Sequence, residues 1–168
     1  MKQNIKLYFP DVVFGAIDGI VTTFAIIAGV YGASLSASLI LILGFANVFA
    51  DGFSMGVSNY LASDSQTIDI QVDRNSVASG FVTFFSFIFI GTIPLLPFLY
   101  FSIQNNPITD FVFLISFCAS LVAFFVFGIL KGIVTNTSIW KSGFTTFFIG
   151  STASLIAFIV GRLLSNLV

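Results

Sequence analysis

Two acidic side chains stand inside long apolar runs: Asp18 in the stretch GAIDGIVTT (15–23) and Asp51 in NVFADGFSM (47–55). An ionised group near the centre of a bilayer costs roughly 2.5–3.5 kcal/mol on insertion scales, so its presence there points to a function. Asp51, Met55 and Asn59 follow at i, i+4 and i+8, which aligns a carboxylate, a thioether and an amide along one stripe of a helix, with Ser54 and Ser58 beside it. Such a ladder of oxygen and sulfur donors suits a partly dehydrated cation. The thioether shifts the preference from magnesium and calcium towards ferrous iron or manganese. Among apolar helices a carboxyl group is easier to keep neutral than ionised, so an aspartic acid that releases its proton when metal binds would make an antiport device. The competing reading gives Asp18 and Asp51 only hydrogen bonds to Thr or Ser of neighbouring helices, and leaves Met55 as packing.

The composition removes most other chemistry. The 168 residues are 57% hydrophobic and 8% charged, against roughly 25% charged in a soluble domain. The six basic and seven acidic residues give a net charge of -1, so there is no basic surface for nucleic acid and no solvated acidic tail. Every acid is Asp, and the chain has neither Glu nor His. A lone Cys118 excludes an intramolecular disulfide and a cysteine zinc site, and no nucleophile and base pair exists for catalysis, so the expectation is no enzyme and no resident cofactor.

The elements that must carry these residues are five apolar runs, over 12–32, 36–62, 77–101, 111–130 and 143–164. They are continuous rather than alternating, which predicts an all-α, polytopic membrane protein of five transmembrane helices in a single domain over 1–168. The longest segment between runs, 63–76, has 14 residues. The first run is too long for a signal-peptide core and is expected to stay in the protein. Lys2, Lys6, Arg74, Lys131 and Lys141 fall in the N-terminus and in the second and fourth loops, which predicts a cytosolic N-terminus and an external C-terminus. Arg162 is the exception, able to snorkel to the headgroups. Pro94 and Pro97 predict a break near Ile93, and the second run can tilt or protrude as helix on the cytosolic side. Counting inward from the cytosolic ends places Asp18 about 9 Å and Met55 about 10 Å deep, level with each other. Gly15 with Gly19, and Gly52 with Gly56, predict close packing of helices one and two there. The aspartates at 64, 69 and 73 read as a solvated loop, and Trp140 with Lys141 as an interfacial anchor.

The stretches DVVFGAIDGIVTTFAIIAGV (11–30) and GFANVFADGFSMGVSNYLASDSQ (44–66) resemble the first two helices of the vacuolar iron transporter family. The likeness continues in Pro94-Leu95-Leu96-Pro97-Phe98, in Gly128 with Lys131, and in Ile159 to Leu164, so it touches all five runs. It implies a homodimer with a metal path between subunits lined by the first helices, and divalent metal moved out of the cytosol in exchange for protons. By family pattern Asp18 and Met55 are metal ligands, doubled by a two-fold axis. Two departures stand out. The cytosolic Glu- and Met-rich metal-binding domain of better-studied members is replaced by residues 63–76, and the glutamate frequent before the helix-two tyrosine is Asn59, while Asp51 occupies a position that is often small.

The expected function is therefore a ferrous iron or manganese transporter, with metal and protons as substrates and the bilayer as its surroundings. A non-transporting scaffold of the same fold, or a passive cation channel, are the alternatives. The compact loops and the lack of a targeting extension suit a bacterial inner membrane, with a vacuolar membrane as the alternative.

Overall fold

In lipid only a backbone that satisfies its own hydrogen bonds is stable, and a chain with mean hydropathy +1.08 meets that demand as helix. The computed structural model describes the backbone of residues 2–70, 74–107 and 109–167, with side chains for 7–65, 74–107 and 109–167. Six α-helices account for it: α1 (Lys2–Gly32), α2 (Ala37–Ile70), α3 (Ser76–Gly91), α4 (Leu96–Ile103), α5 (Asp110–Val134) and α6 (Ile139–Leu164). No strand occurs among the described residues. Five helical segments are long and apolar enough to cross a membrane, Leu7–Gly32, Ala37–Ser65, Ser76–Ile103, Asp110–Val134 and Ile139–Leu164. The protein is an all-α, multi-pass integral membrane protein.

Four of the five spans are single helices. The third is built from α3 and α4, joined by a 3-10 turn over Ile93–Leu95, where Pro94 and Pro97 remove two backbone donors. The Ser116 hydroxyl of α5 donates 2.6 Å to the Pro94 carbonyl, so the neighbouring helix braces the break. Helix α2 runs 34 residues, about 51 Å at 1.5 Å per residue, longer than the about 30 Å hydrocarbon core requires.

Helix α1 lies at the centre, in contact with α2, α3, α5 and α6. Its Ile20, Phe24 and Ile27 are buried, and Phe24 meets Phe124 of α5 edge-on at 6.1 Å. Large side chains such as Phe53, Phe81, Phe89 and Phe148 point outward, as a lipid-facing surface requires.

The small residues do not do what their spacing suggests. Gly15 and Gly19 face α3, not α2: a Cβ at Gly15 would lie 2.5 Å from the Thr83 carbonyl oxygen, and one at Gly19 2.6 Å from that of Phe87. Gly52 and Gly56 also face α3, against Phe84, Phe87 and Gly80. The expected tight α1–α2 crossing is thus two crossings, with α3 between the glycine faces. Backbones approach wherever both partners lack a Cβ, and Gly80 and Gly91 of α3 supply the matching gaps.

This geometry predicts different costs for two like substitutions on α1. Gly15→Ala drives a Cβ into backbone and should destabilise by about 1–3 kcal/mol, whereas Gly29→Ala, whose nearest neighbour is the Ala157 carbonyl oxygen at 3.5 Å, should be tolerated. Thermal unfolding of the two variants in detergent checks the order.

Candidate metal site

Arg74, Lys131 and Lys141 all lie at the end of the bundle where α1 begins, because α1, α3 and α6 run one way and α2 and α5 the other. From this basic end inward, α3 provides a ruler for the register of α1 against α2. Gly19 and Gly52 both lie against Phe87, so they share a level. Asn59 of α2 bonds Asp11 of α1 two turns nearer the basic end, which gives the same register. Asp18 is accordingly level with Gly52, one residue from Asp51. Met55 lies about 4.5 Å closer to the basic end than Gly52, so it stands between the Asp11 and Asp18 levels rather than level with Asp18.

Asp18 and Asp51 are both half-buried, and they lie close enough for their like charges to interact. Asp51 accepts a 2.7 Å hydrogen bond from the Asn47 amide, one turn further in. The Asp18 backbone carbonyl accepts the Thr22 hydroxyl at 2.8 Å, and Asp18 lines a cavity of about 360 Å³. The cavity is walled by Phe14, Ile17 and Val21 of α1, by Lys131 and Thr135 at the end of α5, and by Ile149 of α6. Met55 is half-buried on α2. Among the described residues no three acids, cysteines or histidines converge; Asp18 and Asp51 share a level, and the Met55 thioether lies about a turn nearer the basic end.

Asn59 belongs elsewhere. Its amide donates to Asp11 Oδ1 at 3.0 Å, to Thr83 Oγ1 at 2.6 Å and to the Ser79 carbonyl at 3.3 Å, tying α2 to α1 and α3. Asp11, only 5% exposed, is also ion-paired through Oδ2 with Arg74 Nη2. Arg74 completes the cluster by donating from Nε to Ser79 Oγ at 2.8 Å and lying over the Tyr8 ring, 5.8 Å from its centroid. The Asn75 N–H reaches the Tyr8 hydroxyl at 3.2 Å. Asp11 with Arg74 is the one ion pair among the described residues, which leaves Asp18 and Asp51 as acids without a cationic partner.

Sequence reasoning gave Asp11 no role of its own, and read Arg74 as a topology charge and Lys131 as a topology charge within the family likeness. A signal was present: Asp11 and Asp18 are seven residues apart and share a helix face. That face therefore carries one acid neutralised near the basic end and one left free two turns deeper.

The VIT family profile matches residues 9–75 and 67–162 of this chain. The chain belongs to the VIT family. A vacuolar iron transporter of Plasmodium berghei is 24% identical over 231 aligned positions, covering 96% of this chain and 84% of that protein. The vacuolar iron transporter 1 of Arabidopsis thaliana is 24% identical over 219 positions, covering 93% and 86%. A Toxoplasma gondii vacuolar iron transporter is 43% identical over 67 residues, 40% of this chain and 22% of that protein. The two long alignments exceed the 168 residues available, so these relatives carry residues that this chain lacks. The two matched stretches of the profile overlap at 67–75, around the end of α2.

Removing one member of the Asp11–Arg74 pair should be far worse than removing both. Arg74→Gln leaves a buried carboxylate uncompensated, at the lower end of the about 3–5 kcal/mol typical of such losses, because the arginine keeps 22% exposure. Arg74→Gln combined with Asp11→Asn should recover much of that loss, as read from denaturant midpoints in detergent.

Proposed function

We propose that this protein moves a divalent metal, ferrous iron or manganese, out of the cytosol in exchange for protons, working as a homodimer. The observation that carries the reading is the half-buried, cation-free pair Asp18 and Asp51, with Met55 within a turn on the same helix stripe, in a chain matched along most of its length by proteins named vacuolar iron transporters. Two carboxylates and a thioether with waters would leave a transported metal under-coordinated in one chain. A two-fold axis along the outward α1 face would present each donor twice. Phe14, 53% exposed beside Asp18, leaves that face open to a second copy.

The residues assign roles. Asp18 binds metal and, when metal leaves, takes a proton; Asp51 at the same level shares that exchange; Met55 supplies the soft donor on the way in. Asn59 was grouped with them by spacing, but its amide is committed to Asp11 and Thr83, so in this reading it holds α1, α2 and α3 in register and binds no metal directly. Lys131 across the Asp18 cavity sets a positive charge against any cation that arrives without a carboxylate to receive it. The basic end, with Arg74, Lys131 and Lys141, faces the cytosol by the positive-inside rule, and the far end of α6 lies outside.

The same hydrogen bonds that occupy Asn59 favour one competing reading, a non-transporting membrane scaffold in which all the polar residues serve helix contacts. Liposomes separate the two. Purified protein should accumulate iron or manganese in response to a pH gradient, and Asp18→Asn should abolish uptake while the oligomer stays intact. Met55→Leu, close to volume-conserving, should reduce the preference for iron and manganese over calcium more than it reduces total flux. Uptake indifferent to the pH gradient sinks the antiport, and no metal movement with well-folded protein favours the scaffold.

A further inference from the structure

At the end opposite Arg74 and Lys131 lies a second cavity, of about 720 Å³, within the about 300–1,000 Å³ usual for small-ligand sites. Tight glycine crossings build one wall. A Cβ on Gly32 would lie 2.3 Å from the Phe158 carbonyl oxygen, and one on Gly161 only 2.1 Å from that of Gly29, so α6 is pressed against the last turn of α1. That crossing brings Arg162 to the cavity beside Tyr31. The same cavity is lined by Asp110, the first residue of α5, whose Oδ1 accepts a 2.8 Å hydrogen bond from the Tyr31 hydroxyl. The Tyr31 ring is itself stacked on Phe113 with centroids 3.9 Å apart, which fixes the hydroxyl in place.

Arg162 and Asp110 line one cavity yet form no ion pair within 4.0 Å, since the single such pair among the described residues is Arg74 with Asp11. A lone cation would meet Arg162 and a lone anion would meet Asp110. A zwitterion with its charges a few atoms apart satisfies both. The rest of the lining adds the hydroxyl residues Ser34 and Thr109 to an apolar wall that includes Ile40, Phe98 and Phe158. The depth is the interfacial end of the spans, where phospholipid headgroups lie. Asp110 and the Tyr31 oxygen accept hydrogen bonds, which a primary ammonium can donate and a quaternary one cannot.

We propose that this cavity holds the headgroup of an aminophospholipid of the phosphatidylethanolamine type, its phosphate on Arg162, its ammonium on Asp110 beside the Tyr31 hydroxyl, and its glycerol against the apolar wall. The bound lipid bridges α1, α5 and α6 at the end of the bundle that the Asp11 cluster does not reach.

Native mass spectrometry of the full chain tests this, after delipidation and incubation with equimolar phosphatidylethanolamine, phosphatidylcholine and phosphatidylglycerol of matched chains. Wild type should retain phosphatidylethanolamine in roughly tenfold excess over the other two, the ratio a charge-assisted hydrogen bond supports. Asp110→Asn should bring it down to the phosphatidylcholine level, Arg162→Gln should strip all three, and Arg162→Lys should restore binding. Tyr31→Phe, which removes only a hydroxyl, should lower the excess several-fold and provides an arm with little risk to folding. Equal retention of the three lipids by wild type, or an excess that survives both Asp110→Asn and Tyr31→Phe, overturns the proposal. Displacement by equimolar soluble glycerophosphoethanolamine would assign the cavity to a soluble solute and overturn the lipid assignment.

Discussion

Lipid offers neither hydrogen bonds nor counter-ions, so every polar group in this bundle must find its partner in the protein or remain costly. The buried Asp11–Arg74 pair is where that constraint is met most completely. Asp11 receives an amide and a guanidinium, the guanidinium receives a hydroxyl and an aromatic face, and α1, α2 and α3 are joined by the result. The register of α2 against α1 follows from it, and the levels of Asp18, Asp51 and Met55 follow from the register. With Asp11 neutralised, the deeper acids are set apart as the groups without a cationic partner.

Helix α3 has a role out of proportion to its chemistry. Its Gly80 and Gly91, with Ser79 and Thr83, allow both α1 and α2 to lie against it at backbone distance. It works as a spacer and a ruler: it keeps the glycine faces of α1 and α2 from meeting each other, while Asp18 lines a cavity walled by α1, α5 and α6. The two ends of the bundle also differ in kind. One is locked by an internal ion pair, whereas at the other an acid and a base line one cavity without forming an ion pair.

Much of this was legible before any coordinates. Continuous apolar runs admit only helix in lipid, so the number of spans, the break at Pro94 and Pro97 and the all-α class follow from local sequence. Asp18 and Asp51 announced themselves because a charge in an apolar run is improbable without a use. Asn59 and Met55 were grouped with them by i, i+4 spacing, which is reliable within one helix and silent about what faces it. For Asn59 that silence mattered, since its stripe turns into α3 and Asp11 at that height.

The sequence by itself determined the solvent, the helices and which few residues are chemically expensive, because those follow from transfer energies and backbone geometry that each segment carries alone. Only the tertiary structure decided which expensive residues neutralise one another. Asp11 meets Arg74 across 63 residues of chain, Asp110 meets Tyr31 across 79, and Lys131 comes to the Asp18 cavity from another helix. Those encounters depend on how glycine faces choose their partners, and a glycine can approach any helix that also lacks a Cβ. Spacing along one chain segment carries no information about that choice.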